Sequence, residues 1–310
     1  MSDQKAPPTA PPQLVTLETV MPAAMAVIAE QNGVRRASTD PMTVFVLSVL
    51  AGAFISFGAI FATTVYAGTI GITSADGSVA LSAGLPYGVN RLLMGLVFSL
   101  GLLLVVIGGA ELFTGNNMIV MAWAGRKVST GQLLLNWAIV FTGNLAGALA
   151  TAVLMFLTTQ YTFGGGSVGY AALSIANSKT SLAFMPALTL GIMCNVLVCL
   201  ATWMCYGART TVDRVVTIVP PITAFVAAGF EHSIANMYFI PIGLLIRAGA
   251  PDSFWRAIGK TPADFPSITW ENFLIWNLVP VTIGNVIGGS LLVAAVYWFV
   301  YLRKPLSKAE

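Results

Sequence analysis

Charge is scarce in this chain of 310 residues: only 9% of them are Asp, Glu, Lys or Arg, where a soluble domain carries about 25%. With 56% apolar residues and a mean hydropathy of +0.82, the sequence excludes an ordinary water-soluble globule and takes the bilayer as its solvent. A net charge of +3 leaves no basic footprint, so no nucleic-acid partner is expected. Cysteine is limited to Cys194, Cys199 and Cys205, all within one apolar run. That excludes zinc spacing and a secreted disulfide framework, and leaves the three as packing residues. A single histidine makes a His-Glu-x-x-His metal helix impossible, and one imidazole with two separated glutamates is no convincing ligand set. No metal, no cofactor and no enzymatic activity are expected. The first dozen residues, with Pro7, Pro8, Pro11 and Pro12, lack the apolar core and cleavage site of a signal peptide.

Long apolar runs are what the chain has instead. A spanning helix needs about 20 apolar residues, and six segments qualify, at approximately 43–67, 89–124, 131–159, 183–207, 214–247 and 271–302. The expected fold is an all-α membrane protein with six transmembrane helices. Ahead of them Leu17, Val20, Met21, Ala24, Met25 and Ile28 recur at helical spacing, a stripe that suits a helix on the membrane surface or one packed on a neighbouring subunit. The expected organisation is a disordered Pro-rich tail over 1–16, an amphipathic helix over 17–34, a transmembrane domain over 35–304 and a short tail over 305–310. An even number of spans puts both termini on one side. Lys5, Arg35, Arg36, Arg126, Lys127, Arg209, Arg214, Arg303, Lys304 and Lys308 fall on that side, against Arg91, Lys179, Arg247, Arg256 and Lys260 opposite. The positive-inside rule then places both termini in the cytoplasm.

The second and fifth runs exceed one crossing, and each is interrupted by polar, helix-breaking residues: Gly109-Ala110-Glu111-Leu112-Phe113-Thr114-Gly115-Asn116 and Gly229-Phe230-Glu231-His232-Ser233-Ile234-Ala235-Asn236. A carboxylate at the bilayer centre costs roughly 3 kcal/mol or more, and a broken helix is tolerated there only where protein or a water-filled cavity surrounds it. Two such sites point to a pathway across the membrane. They are also related to each other. Glu111 precedes Asn116 as Glu231 precedes Asn236, and Gly143-Asn144-Leu145-Ala146-Gly147 in the third run matches Gly284-Asn285-Val286-Ile287-Gly288 in the sixth. Each half holds three spans, so the second half must run in the opposite sense, as an inverted 3+3 repeat whose broken helices meet near the midplane. Small residues four apart, such as Gly52 and Ser56 or Gly191 and Asn195, predict close helix packing.

The break residues carry the candidate chemistry. His232 fits either a hydrogen-bonded core position or a working group, and its place in a membrane-helix break favours the second. Glu111 and Glu231 fit proton relays, but the stronger expectation is structural, with each carboxylate accepting bonds from unpaired N–H groups at the break. Thr114, Asn195 and Ser233 offer neutral hydrogen-bonding groups suited to a small anion or weak acid. Phe98, Leu102, Leu112, Phe113 and Phe225 are large apolar residues near those polar points.

These same segments, together with Gly191-Ile192-Met193-Cys194-Asn195-Val196-Leu197-Val198-Cys199, resemble the formate/nitrite transporter family, and within it the formate channels. The resemblance runs from about residue 20 to residue 304. It implies an aquaporin-like, six-span subunit of a bacterial inner-membrane homopentamer, each subunit with its own pore for formate or a related small monovalent anion. By the same resemblance His232, Thr114 and Asn195 line the central pore, with proton exchange at His232. Leu102 and Leu112 form a cytoplasmic constriction, and Phe98, Phe113 and Phe225 a periplasmic one. Lys179 attracts anions, while Glu111, Glu231, Asn236 and Ser233 support the broken helices. Nitrite or hydrosulfide is the alternative cargo.

Overall fold

The computed structural model describes residues 18–68 and 85–303, and the backbone of 72–73 and 79–81. The two tails expected over 1–16 and 305–310 lie outside the described residues. Helix α1 (Pro22–Ser38) begins at a proline, whose missing N–H costs nothing in a first turn. It starts later than residue 17 and ends later than residue 34. Its buried face is Met25, Ala26, Ala29, Glu30 and Gly33, while Met21 is exposed. It packs against the chain's own helices.

Six helices are long and apolar enough to cross a membrane. They are α2 (Pro41–Ala67), α3 (Tyr87–Gly108), α6 (Thr130–Leu157), α8 (Phe184–Gly207), α9 (Thr211–Ala228) and α12 (Asn272–Tyr301). Between α2 and α3, strands Ile72–Thr73 and Val79–Leu81 pair antiparallel, a small β element the apolar pattern did not signal. After α3 the chain breaks and resumes as α4 (Phe113–Asn116), a 3-10 turn and α5 (Val120–Ala124). A shorter helix, α7 (Ser167–Thr180), precedes α8. After α9 the chain breaks again and resumes as α10 (Ser233–Gly249), followed by α11 (Asp252–Ile258). The last span contains two π-helical stretches, Asn272–Leu278 and Ile287–Ala295.

Both breaks sit where glycine permits a left-handed residue: Gly109 at φ 74° and Gly229 at φ 77° end α3 and α9. The halves pack in matching ways, α2 against α6 and α8 against α12. A Cβ on Gly52 would lie 2.1 Å from the Asn144 carbonyl oxygen, and one on Gly284 would lie 2.2 Å from that of Leu188. The small residues are therefore packing residues that let backbones touch.

Candidate functional site

Each break leaves backbone donors and acceptors without helical partners, which a low-dielectric site must satisfy. In the first half Phe113 N–H donates to Asn144 Oδ1 at 2.9 Å, and Asn144 Nδ2 donates to the carbonyls of Ser48 (2.8 Å) and Glu111 (2.9 Å). In the second half Ser233 N–H donates to Asn285 Oδ1 at 2.9 Å, and Asn285 Nδ2 donates to the carbonyls of Gly191 (2.8 Å) and Glu231 (3.0 Å). The N–H groups of Glu111 and Glu231 reach the carbonyls of Leu47 and Leu190, both at 3.3 Å. The expectation that the glutamates would take up these N–H groups is corrected. Two asparagines on the neighbouring spans do so, each amide offering an acceptor for the N–H and donors for the carbonyls.

The glutamates are spent one layer away. Asn116 Nδ2 donates to Glu111 Oε2 (2.7 Å) and to Asn136 Oδ1 (2.9 Å), and Asn136 returns a bond to the Arg36 carbonyl (3.2 Å). Asn236 Nδ2 donates to Glu231 Oε2 (2.7 Å) and to Asn277 Oδ1 (2.8 Å), and Asn277 returns a bond to the Lys179 carbonyl (2.9 Å). A cation closes each set. Arg36 pairs with Glu111 at 3.6 Å and also bonds Asn116, while Lys179 Nζ donates to Glu231 Oε1 at 2.9 Å. Sequence reading missed Arg36, Asn136 and Asn277. The signal was an asparagine eight residues before each Gly-Asn site, Asn136 before Asn144 and Asn277 before Asn285.

The halves differ where His232 stands. Its counterpart Leu112 precedes α4 with no side-chain cap, whereas His232 Nδ1 accepts the Ala235 N–H at 3.1 Å and caps α10. Its Nε2 lies 3.0 Å from Thr114 Oγ1. Since Nδ1 is an acceptor, these partners assign a neutral ring that carries its proton on Nε2 and donates to Thr114. Both residues are buried. Asn195 joins them less directly. Its Nδ2 donates to Asn117 Oδ1 (2.8 Å) and the Asn285 carbonyl (2.7 Å), and only at 3.4 Å to the Thr114 carbonyl. It ties the helix resumed after the first break to α12. Ser233 enters through its backbone N–H.

Above His232 opens a vestibule of about 410 Å³, lined among others by Arg91, Phe98, Lys179, Phe225, Glu231, His232 and Phe239. Phe98 meets Phe225 edge-on at 5.7 Å and stacks with Phe239 at 6.3 Å; Phe225 lies over His232 at 5.9 Å. Phe113 stands apart from this group, with its ring against Trp137 (6.0 Å) and Phe141 (5.2 Å). Leu102 and Leu112 are both buried in the main apolar core. Lys179 Nζ sits 5.5 Å from the Phe239 ring centre, and Phe239 was not singled out from sequence.

Residues 165–169 match the hydrolase pattern Gly-x-Ser-x-Gly. There Ser167 starts α7 after two left-handed glycines, Gly165 and Gly166, and the chain's one histidine is engaged with Thr114 and Ala235. The match carries no triad.

The family model described as formate/nitrite transporter matches residues 23–299. The formate channel FocA of Escherichia coli K12 is 44% identical over 287 residues, which cover 93% of this chain and 96% of that protein. FocA of Haemophilus influenzae is 36% identical, covering 86% and 89%. A solved structure described as a pentameric formate channel with formate bound superposes with a TM-score of 0.76 at 40% identity, covering 85% of this chain and 98% of that one. Relatives of this similarity over nearly the whole length are channels and not enzymes, and the six apolar helices agree with that. The chain is a multi-pass membrane protein that belongs to the formate/nitrite transporter family.

Proposed function

We propose that this chain conducts formate across the bacterial inner membrane as a homopentamer with one pore per subunit, both termini in the cytoplasm, and proton exchange at His232. The observation that carries the reading is the buried His232–Thr114 pair, 3.0 Å apart, beneath a vestibule that also contains Lys179. The named activity of the relatives supports formate as cargo. The excess of basic residues on the terminal side supports the orientation.

A carboxylate passing apolar rings faces a desolvation penalty of several kcal/mol, and an acid with a pKa near 4 is only about one part in a thousand neutral at pH 7. The anion descends past Phe98 and Phe225 and takes the Nε2–H of His232 and the Oγ–H of Thr114 as donors. Neutralisation requires a second proton on the ring, taken up from water on the vestibule side. That proton belongs on Nδ1, so the ring must give up the Ala235 N–H as it becomes cationic. Transfer of the Nε2 proton to formate leaves formic acid, which crosses toward Leu102 and Leu112, and a neutral ring protonated on Nδ1, which regains the resting form by taking a proton from water on Nε2 and releasing the one on Nδ1.

The test is formate influx into proteoliposomes with an internal pH dye. His232→Phe is expected to abolish proton-coupled influx and leave an anion leak; unchanged acidification on formate addition would sink the exchange. Parallel runs with nitrite and hydrosulfide decide the cargo, and formate carried more slowly than either would replace it.

A further inference from the structure

Helix α9 ends at the vestibule, and its last carbonyls carry the negative end of the helix dipole, about half an elementary charge. An anion arriving there meets repulsion unless those carbonyls are covered. Arg91, near the start of α3, covers them: Nε donates to the Ala227 carbonyl at 3.2 Å and an Nη donates to that of Val226 at 2.5 Å. Gly229 makes room. It holds φ 77°, and a Cβ there would lie 3.2 Å from the guanidinium. The arrangement is a built one, with the cation on one span, the carbonyls on another and a glycine that admits both.

The charges lining the vestibule are Arg91, Lys179 and Glu231. Lys179 is bound to Glu231 at 2.9 Å, so that pair is neutral as a unit. Arg91 forms no ion pair among the described residues. We propose that Arg91, not Lys179, supplies the net positive charge of the outer vestibule, and that it does so while neutralising the carbonyl end of α9. Arg91 is thereby a positioning and specificity-setting residue for anion capture. The inference rests on the reading of the vestibule as an anion path.

The test compares wild type, Arg91→Gln and Arg91→Lys in proteoliposomes, with initial formate influx measured from 10 mM to 1 M ionic strength set by an impermeant salt. The screening length falls from roughly 30 Å to 3 Å over that range. Arg91→Gln is expected to lower influx on the order of tenfold at low salt, the lower end for electrostatic steering, with the gap closing at high salt; Arg91→Lys retains most of the low-salt rate. Equal influx by Arg91→Gln and wild type at low salt overturns the proposal. So does an equal loss in both variants at every salt concentration, which assigns Arg91 a capping role alone. If Arg91→Gln does not assemble, Tyr87→Glu decides. Tyr87 lines the same vestibule, is 78% exposed and stands one helical turn before Arg91, so a carboxylate there offsets the Arg91 charge directly; it must lower low-salt influx, and an unchanged rate counts against Arg91. Wild type that passes no formate defeats the proposed cargo, and the same comparison with nitrite still decides Arg91.

Discussion

Asn144 and Asn285, from opposite halves of the chain, make the same three bonds: each Oδ1 accepts the N–H at the start of a resumed helix, and each Nδ2 donates to one carbonyl in the break and one on the adjacent span. The inverted repeat is thus a repeat of hydrogen-bond duties as well as of spans. One amide satisfies both senses of backbone polarity at once, which a carboxylate, having acceptors only, cannot do.

Replacing Asn285 by Ala leaves the Ser233 N–H and two carbonyls without their partner in a buried site. Each unmet group costs about 1–3 kcal/mol, so Asn285→Ala and Asn144→Ala are both expected to lower thermal stability in detergent, followed by size-exclusion chromatography against temperature. A variant as stable as wild type would show that the amides are dispensable.

Thr114→Val removes the hydroxyl 3.0 Å from His232 Nε2 and keeps the shape of the side chain. Loss of a buried hydrogen bond of about 1.4 kcal/mol corresponds to tenfold, and formate influx is expected to fall by about that factor. Thr114→Ser keeps the donor and is expected to stay within about twofold of wild type. Equal rates for Val and Ser would remove Thr114 from the path.

Gly284→Ala places a Cβ 2.2 Å from the Leu188 carbonyl and 2.9 Å from the Ile192 nitrogen, both rigid backbone. Overpacking of this kind costs about 1–3 kcal/mol, and α8 and α12 must separate. Gly88→Ala, which meets nothing within 4 Å, is the control expected to be neutral. Melting curves of the two variants that coincide would refute the close-crossing account.

Asp264, in the loop before α12, accepts the backbone N–H of Thr261 at 2.7 Å and its hydroxyl at 2.9 Å. These bonds hold its carboxyl below the usual carboxylate range. A depressed native pKa stabilises the fold above the unfolded-state value and loses that stabilisation as pH falls through the native one. The difference in melting temperature between wild type and Asp264→Ala should therefore be constant from pH 6 to 8 and shrink below about pH 4. A difference that persists at pH 3 would mean that the charge plays no part.

Much of this was legible without coordinates because it is encoded along the chain. Apolar runs of spanning length mark the crossings, and a glycine followed two residues later by a glutamate, Gly109 with Glu111 and Gly229 with Glu231, marks the places where helices must end. What failed did so where partners are far apart in sequence. The glutamates were given the donors that Asn144 and Asn285 take, from 31 and 52 residues away respectively. Phe113 was grouped with Phe98 and Phe225 by the family resemblance, yet it begins a helix that turns its ring to Trp137 and Phe141. Arg91 and Phe239 sit in ordinary apolar stretches, and nothing local distinguishes them.

The amino-acid order alone determined six crossings, two interruptions, an inverted duplication and a single imidazole inside one interruption, since hydropathy, helix-breaking residues and spacing act locally. Tertiary structure alone decided which group satisfies which orphaned donor, which nitrogen of His232 is occupied, and which cation at the vestibule has no ion pair among the described residues. Those depend on how α2, α3, α6, α8, α9 and α12 cross, and in a low-dielectric interior the crossing angle and the small residues that permit it choose the partners.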